Sequence, residues 1–201
     1  HLGDWFSGIE NYPNGGVVRT FSRKKLEKIF DACGVGERSF YYPYPDYKFM
    51  TTVYSDAYLP GRGELSNNLR NFDRDRMLLF DEKSAFDGIV EEGLFSVFSN
   101  SYMAIIGKPL ELKYARYSND RAEEFRIRTE ILTDTEGKKA VRKYPLTTEA
   151  EAHVRHMAEA YEKLKKRYAG SRLDVNTCHL GEEEGAIYAE FEFVPGRPLS
   201  E

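Results

Sequence analysis

EFRIRTEILTDTEGKKAVRKYPL (124–146) decides how the second half of this chain is read. Phe125, Ile127, Thr129 and Ile131 alternate with charged neighbours, the pattern of an antiparallel strand with one face buried and the other in water. TDTEG (133–137) is a hairpin turn, and KKAVRKYPL (138–146) is the returning strand. LELKYARYS (110–118) makes a third strand-like run ahead of them. The longest helical pattern follows, from about Glu149 to Tyr168, with Ala150, Val154, Met157, Ala158, Tyr161 and Leu164 as its apolar stripe. Thr148 with Glu151 three positions on fits a capping box, and Gly170 is a stop. Two further strand-like runs, 172–180 and 186–194, are joined by the acidic turn GEEEG (181–185).

Gly107-Lys108-Pro109 punctuates the chain, so two modules, 1–108 and 109–201, are expected. The first opens on a loop vocabulary of Gly3, Gly8, Pro13, Asn14, Gly15 and Gly16. A helix follows: Ser22 caps it, Leu26, Ile29, Phe30 and Cys33 share one face, and Gly34 ends it. ERSFYYPYPDYKFMTTVYSD (37–56) is aromatic and β-branched but carries Pro43 and Pro45, so it reads as a strand that leaves its sheet or runs along an edge. After a polar stretch (57–83), Ala85, Phe86, Ile89 and Val90 predict a short helix over 84–92. LFSVFSNSYMAIIG (94–107) predicts a strand.

Among 201 residues, 41% are hydrophobic and 31% charged, a balance that supplies a globular core. A net charge of −4 gives no global attraction to nucleic acid or anionic membrane. No apolar run approaches the length of a bilayer span, and the first residues lack a basic stretch followed by an apolar core, so the expected location is the cytoplasm. Cys33 and Cys178 are far apart and form neither a CxxC pair nor a disulfide framework; both are expected to be buried as small apolar residues. Four histidines, spread out apart from His153 and His156, make no metal constellation. KLKKRY (163–168) reads either as a phosphate patch or as the wet face of an amphipathic helix.

Three strands, a long helix and two strands make a compact antiparallel sheet with one packed helix, an order that resembles the N-lobe of protein kinases and kinase-like phosphotransferases. Ala140-Val141-Arg142-Lys143 stands where such proteins carry a V-A-I-K lysine, and Glu192-Phe193-Val194-Pro195-Gly196 with Leu199 is similar to their hinge. The resemblance implies an ATP site in which Lys143 holds phosphates and the backbone around Glu192 and Val194 meets the adenine. Three departures accompany it. The first turn, YSNDRAEE (117–124), has no glycine to bring backbone amides onto phosphates. The helix glutamate that should pair with Lys143 is ambiguous between Glu149 and Glu151, while His153 takes the place the family gives to it. The catalytic loop and its metal-binding aspartate would lie after residue 201.

The first module resembles the carboxyl-terminal part of class I S-adenosylmethionine-dependent methyltransferases, in a bacterial group found with sugar-modifying enzymes. WFSGIENYPN, TFSRKKLEKIFDACG, YYPYPDYKF, LSNNLRNFDRDR and LFSVFSNSYMAIIGK carry the likeness, over about half the chain. It implies the C-terminal part of a doubly wound α/β sheet, with 57–93 inserted before the last strand. The glycine-rich turn and acidic residue that hold the cofactor would lie upstream of His1. The resemblance implies His1 and Asp46 as catalytic bases, and Asp4, Trp5, Tyr42, Tyr44 and Tyr47 as substrate contacts. Aromatic rings stack on sugar faces and carboxylates accept hydroxyl hydrogen bonds; packing against the insertion is the alternative for the aromatic residues.

Taken together, the expectation is a fragment, inactive alone, of a bacterial methyltransferase joined to a kinase-like domain. It would act on cell-surface polysaccharide or lipid-linked sugar precursors, with S-adenosylmethionine bound by the parent and ATP by the second module. The alternatives are a non-catalytic nucleotide- or protein-binding module and a stand-alone interaction protein. A partial doubly wound sheet leaves edges and an apolar face uncovered, so residues 1–108 are expected to need a partner surface: the second module, another copy or the missing half.

Overall fold

The computed structural model describes residues 21–65 and 81–196. The chain divides into two units: His1–Met50 with Ser55–Pro109, and Thr51–Tyr54 with Leu110–Glu201. The expected boundary at 108 did not anticipate that a short piece of the 37–56 stretch goes with the second unit.

In the first unit, α1 (Arg23–Ala32) begins where Ser22 accepts a hydrogen bond from the Lys25 amide at 3.3 Å. It ends at Gly34, whose φ of 71° is a conformation glycine adopts without penalty. Ile29 is 39% exposed, and Cys33, at the helix end, is exposed as well; only Cys178 is buried as expected. The 37–56 stretch forms two strands, β1 (Arg38–Tyr44) and β2 (Thr52–Ser55), rather than one. Pro43 lies in β1 beyond the pairing with β3 (Met103–Ile106), which runs only from Arg38↔Ile106 to Tyr41↔Met103.

Asp81 caps α2 (Glu82–Glu91) by accepting from the Lys83 amide at 3.1 Å. The 94–107 stretch is not one strand but a single helical turn, α3 (Phe95–Phe98), followed by β3. Serines break it: Ser99 Oγ donates to the Ser101 carbonyl at 3.0 Å, and Ser101 Oγ accepts from the Tyr47 amide at 3.1 Å. The first of these is a local bond of the kind that competes with a strand ladder; the second ties Ser101 to a distant loop. Phe40, Tyr41, Tyr42, Tyr44, Leu65 and Phe95 form this unit's buried apolar interior. Its rings meet edge-on, Tyr42 with Phe95 at 5.8 Å and Tyr44 with Phe86 at 5.9 Å. Among the described residues of this unit the strand pairing is the antiparallel β1–β3 pair, with no parallel pair of a doubly wound sheet.

The second unit is a six-stranded antiparallel sheet in the order β2, β4 (Leu112–Tyr117), β5 (Ile127–Thr133), β6 (Lys139–Pro145), β8 (Ala186–Glu192), β7 (Cys178–Glu183). The helix α4 (Glu151–Arg167) lies on one face over Ile127, Cys178, Ala189 and Phe191; Val154 is fully buried there, and Met157, Ala158 and Tyr161 pack beside it. Leu164, the last member of the predicted stripe, is 38% exposed. The capping box does not form: the first cap position is Ala150, and Thr147 rather than Thr148 accepts from the Ala150 amide, at 3.2 Å. Basic Lys165, Lys166 and Arg167 sit in the last turn, where they complement the helix's carbonyl end.

The turn between β7 and β8 is tighter than the acidic run suggests. Glu182 and Glu183 belong to β7, and Glu184 (φ 51°) with Gly185 (φ 80°) makes a two-residue loop whose positive φ values match strand twist. The alternation of 124–132 also needs amending. Phe125 lies in a 3₁₀ turn (Glu123–Phe125) and is 45% exposed, whereas Glu130, on the face expected to meet water, is only 9% exposed. That outer face is instead covered by a polar and aromatic ladder. Arg128 stacks on Tyr144 at 4.6 Å and pairs with Glu130 at 2.7 Å; Arg142 stacks on Tyr188 at 4.4 Å and pairs with Glu190 at 2.7 Å. Gly181 makes room for this ladder: a Cβ there would fall 2.3 Å from the Tyr188 ring.

Candidate functional site

Lys143 lies late in β6, opposite Thr129 on β5 and Ala189 on β8. Its register puts it on the same face as Val141 and Phe191, the face covered by α4. There its ammonium stands 5.1 Å from the centre of the Phe191 ring. Among the described residues no carboxylate pairs with it, and neither Glu149 nor Glu151 forms the expected ion pair. Burial lowers the Lys143 pKa; the Cys178 thiol nearby opposes this, and the positive charge of Arg121 adds to it.

His153 on α4 belongs to the same neighbourhood. Its ring stands edge-on to Phe125 at 5.1 Å, and its pKa is lowered by burial first, then by Arg121, Lys143 and His156. Arg121 comes from the 117–124 turn, which is tied to the start of α4 by Thr147 Oγ1 donating to the Glu123 carbonyl at 2.7 Å and by the Leu146 amide donating to the Arg126 carbonyl at 2.9 Å. The result is a half-buried amine set among cationic and protonatable groups. Sequence reasoning named Lys143 and noted His153 but missed Arg121, because no spacing rule connects a turn residue to a strand three elements away.

Glu192 and Val194 do not converge on Lys143. Glu192 faces Ala140, three positions along β6, so its side chain is on the opposite face and about 10 Å away along the strand. Its carbonyl already accepts from Asn176 Nδ2 at 2.9 Å. Val194 is 68% exposed beyond the strand end.

In the first unit the structure separates the predicted carbohydrate contacts. Tyr42 is fully buried; its hydroxyl donates to Asp56 Oδ1 and accepts from the Arg23 guanidinium. Arg23 also grips Asp56 with two bonds, 2.7 and 3.0 Å, and Glu27 at 2.9 Å, and lies 4.8 Å from the Phe40 ring. Burial, then Asp56, push the Tyr42 pKa far up. Tyr44 is 9% exposed and packs on Phe86. Both tyrosines therefore serve packing rather than substrate contact, because the face of β1 they occupy is covered by neighbouring helices and rings. Tyr47 is 67% exposed, with the Lys48 ammonium 5.6 Å from its ring. Asp46 Oδ1 accepts from the Lys48 and Phe49 amides at 2.7 and 3.0 Å, the geometry of a residue that shapes its own loop. His1, Asp4 and Trp5 lie outside the described residues.

Among the described residues no cluster of three His, Cys, Asp or Glu is placed to hold a metal ion, and no helix is long and apolar enough to cross a membrane. Compared with known proteins, the chain matches no protein-family model, no curated protein and no solved structure.

Proposed function

We propose that the second unit is a phosphate-binding module that takes a nucleotide without transferring its phosphate, with Lys143 as its principal anion contact and Arg121 and His153 beside it. The observation that carries this reading is a half-buried ammonium near the Phe191 ring with no carboxylate partner among the described residues, its charge disfavoured by burial and by a neighbouring guanidinium. An incoming phosphate supplies the missing counter-charge. Binding is favoured over transfer because the 117–124 turn has no glycine and no glutamate orients Lys143. The ATP reading of the kinase resemblance is kept in this reduced form. Its hinge portion would have to act through backbone groups near Val194. On the methyltransferase resemblance of residues 1–108, we propose further that the chain is part of a bacterial S-adenosylmethionine-dependent enzyme acting on cell-surface sugars, with the nucleotide site as its accessory.

Calorimetric titration of the chain with ATP, with and without magnesium, tests the reading. Wild type is expected to bind in the micromolar to millimolar range, and Lys143→Met to bind about tenfold or more weakly, the loss of one charged hydrogen bond. An unchanged affinity in Lys143→Met, with the variant's fold intact by circular dichroism, rules out the phosphate role.

A further inference from the structure

A second concentration of positive charge lies in the first unit. Ser22, Arg23, Lys24, Lys25, Glu27 and Lys28 of α1 and its cap form one wall of a cavity of about 810 Å³; Ser96, Val97 and Tyr102, from α3 and the approach to β3, form the other. That volume is in the range of small-ligand sites, ~300–1,000 Å³. Among the described residues the lining carries four cations and a single carboxylate, although the chain as a whole is acidic.

The cations divide by role. Arg23 is neutralised by Glu27 and Asp56 and anchored on Phe40, so it builds the wall. Lys24, Lys25 and Lys28 have no carboxylate within ion-pair distance among the described residues. Only the Lys25 ammonium has a neighbour of note, the Phe21 ring at 5.4 Å. All three are exposed. On an ordinary wet helix face such lysines border only open solvent; here a second wall from a distant part of the chain stands across an open cleft from them. That wall is held in place, since the Tyr102 hydroxyl donates to the Val97 carbonyl at 3.2 Å and the Tyr102 ring packs edge-on against Tyr42 at 6.0 Å. Three lysines without an ion-pair partner among the described residues, lining the same cleft as an aromatic and aliphatic wall, suit a ligand with a multiply charged head and a less polar body.

We propose that this cleft binds a small phosphorylated molecule of nucleotide or sugar-phosphate size, its phosphates held by Lys24, Lys25 and Lys28 and its body against Val97 and Tyr102. Neither Lys143 nor any other residue of the second unit takes part, so the proposal stands independently of the nucleotide site proposed there. The occupied region is a bounded cleft rather than a stripe along the molecule, which favours a small ligand over a nucleic acid strand.

The experiment uses the full chain carrying Lys143→Met, titrated with pyrophosphate, ADP and glucose 1-phosphate at low salt, with heteronuclear NMR to locate binding. Pyrophosphate is expected to bind and to shift amides both in 22–28 and in 96–102. Tighter binding of ADP or of glucose 1-phosphate identifies which body the Val97–Tyr102 wall accepts. The triple variant Lys24→Ala, Lys25→Ala, Lys28→Ala keeps a good helix former at each position and is expected to weaken binding roughly a hundredfold. Unchanged binding in the triple variant overturns the proposal. So does a shift pattern confined to the helix, and so does a preference for long single-stranded DNA over pyrophosphate.

Discussion

Arg23 and Lys143 are both cations laid against aromatic rings, one in each unit, and the two are treated in opposite ways. Arg23, near Phe40, meets Glu27 and Asp56 and the Tyr42 hydroxyl, and despite its burial these bonds raise its pKa. Lys143, near Phe191, meets no carboxylate among the described residues, and its pKa falls. A satisfied charge is a structural fastener: removing a partner leaves the others stranded. An unsatisfied one costs stability while it waits and is worth keeping only if something else needs it.

The largest expected effect breaks the first of these sites. Asp56→Ala removes the acceptor of the Tyr42 O–H, which keeps only the bond it accepts from Arg23, and leaves Arg23 with one carboxylate; it should lower stability by about 2–3 kcal/mol, the range for hydrogen bonds to charged groups. Tyr42→Phe removes a hydroxyl but strands no charge, and should cost about 1 kcal/mol. Urea melts of the full chain measure both. If Asp56→Ala costs no more than a surface substitution, the fastener reading fails. A Tyr42→Phe cost above that of Asp56→Ala would mean that the hydroxyl, not the carboxylate, organises the site.

Smaller and opposite in sign is the effect expected at the second site. Lys143→Met keeps the aliphatic stem against Phe191 and removes the unpaired ammonium, so stability should rise by about 0.5–1 kcal/mol in the same melts. The direction agrees with linkage. A lysine whose pKa is lower in the folded chain holds its proton less tightly there than in the unfolded chain. The cost of burying the charge is fully present below the folded pKa and fades as pH rises from the folded value toward the unfolded one. A destabilised Lys143→Met would reveal a partner and place Lys143 with Arg23.

What the sequence disclosed about these sites follows from how far each kind of signal reaches. Local periodicity placed the three strands of 110–146, the long helix and the last strand, because alternation and helical stripes are set by near neighbours; it missed the helix cap and began the 172–180 strand six residues before β7 (Cys178–Glu183). It failed at 94–107, where an apolar composition reads as a strand but Ser99 bonds the nearby Ser101 carbonyl, Ser101 takes the distant Tyr47 amide, and the run is split. It failed again at Glu130, since a period-two pattern cannot show that arginine and tyrosine from β6 and β8 will cover the outer face. The Asp56 network was out of reach for a related reason: Arg23 and Asp56 are 33 positions apart and meet only through tertiary packing. Tyr42 and Tyr44 drew attention as aromatic residues beside prolines. Chain chemistry alone does not tell a ring that stacks on a ligand from one that fills a core.

The smallest effect is the one that discriminates most finely between waiting charge and plain packing. His153 stands against Phe125 and among Arg121, Lys143 and His156, and its pKa lies below the ordinary value of 6.5, from burial first and from those cations after. The unfolded chain therefore binds this proton more readily than the folded one. The penalty is fully present below the folded pKa and disappears as pH climbs to about 6.5, so stability should rise with pH across that window. His153→Gln should flatten this part of the profile, read as urea midpoints between pH 5 and 7.5, while leaving the pH 7.5 value nearly unchanged. Inorganic phosphate at saturating concentration should flatten it too in the wild type, because a bound dianion favours the imidazolium and turns repulsion into attraction. A profile that phosphate leaves untouched, in a protein whose His153→Gln variant has lost the slope, would mean that the histidine senses its neighbours but that no anion enters between them. The Lys143 cluster would then be a strained piece of packing and not a site.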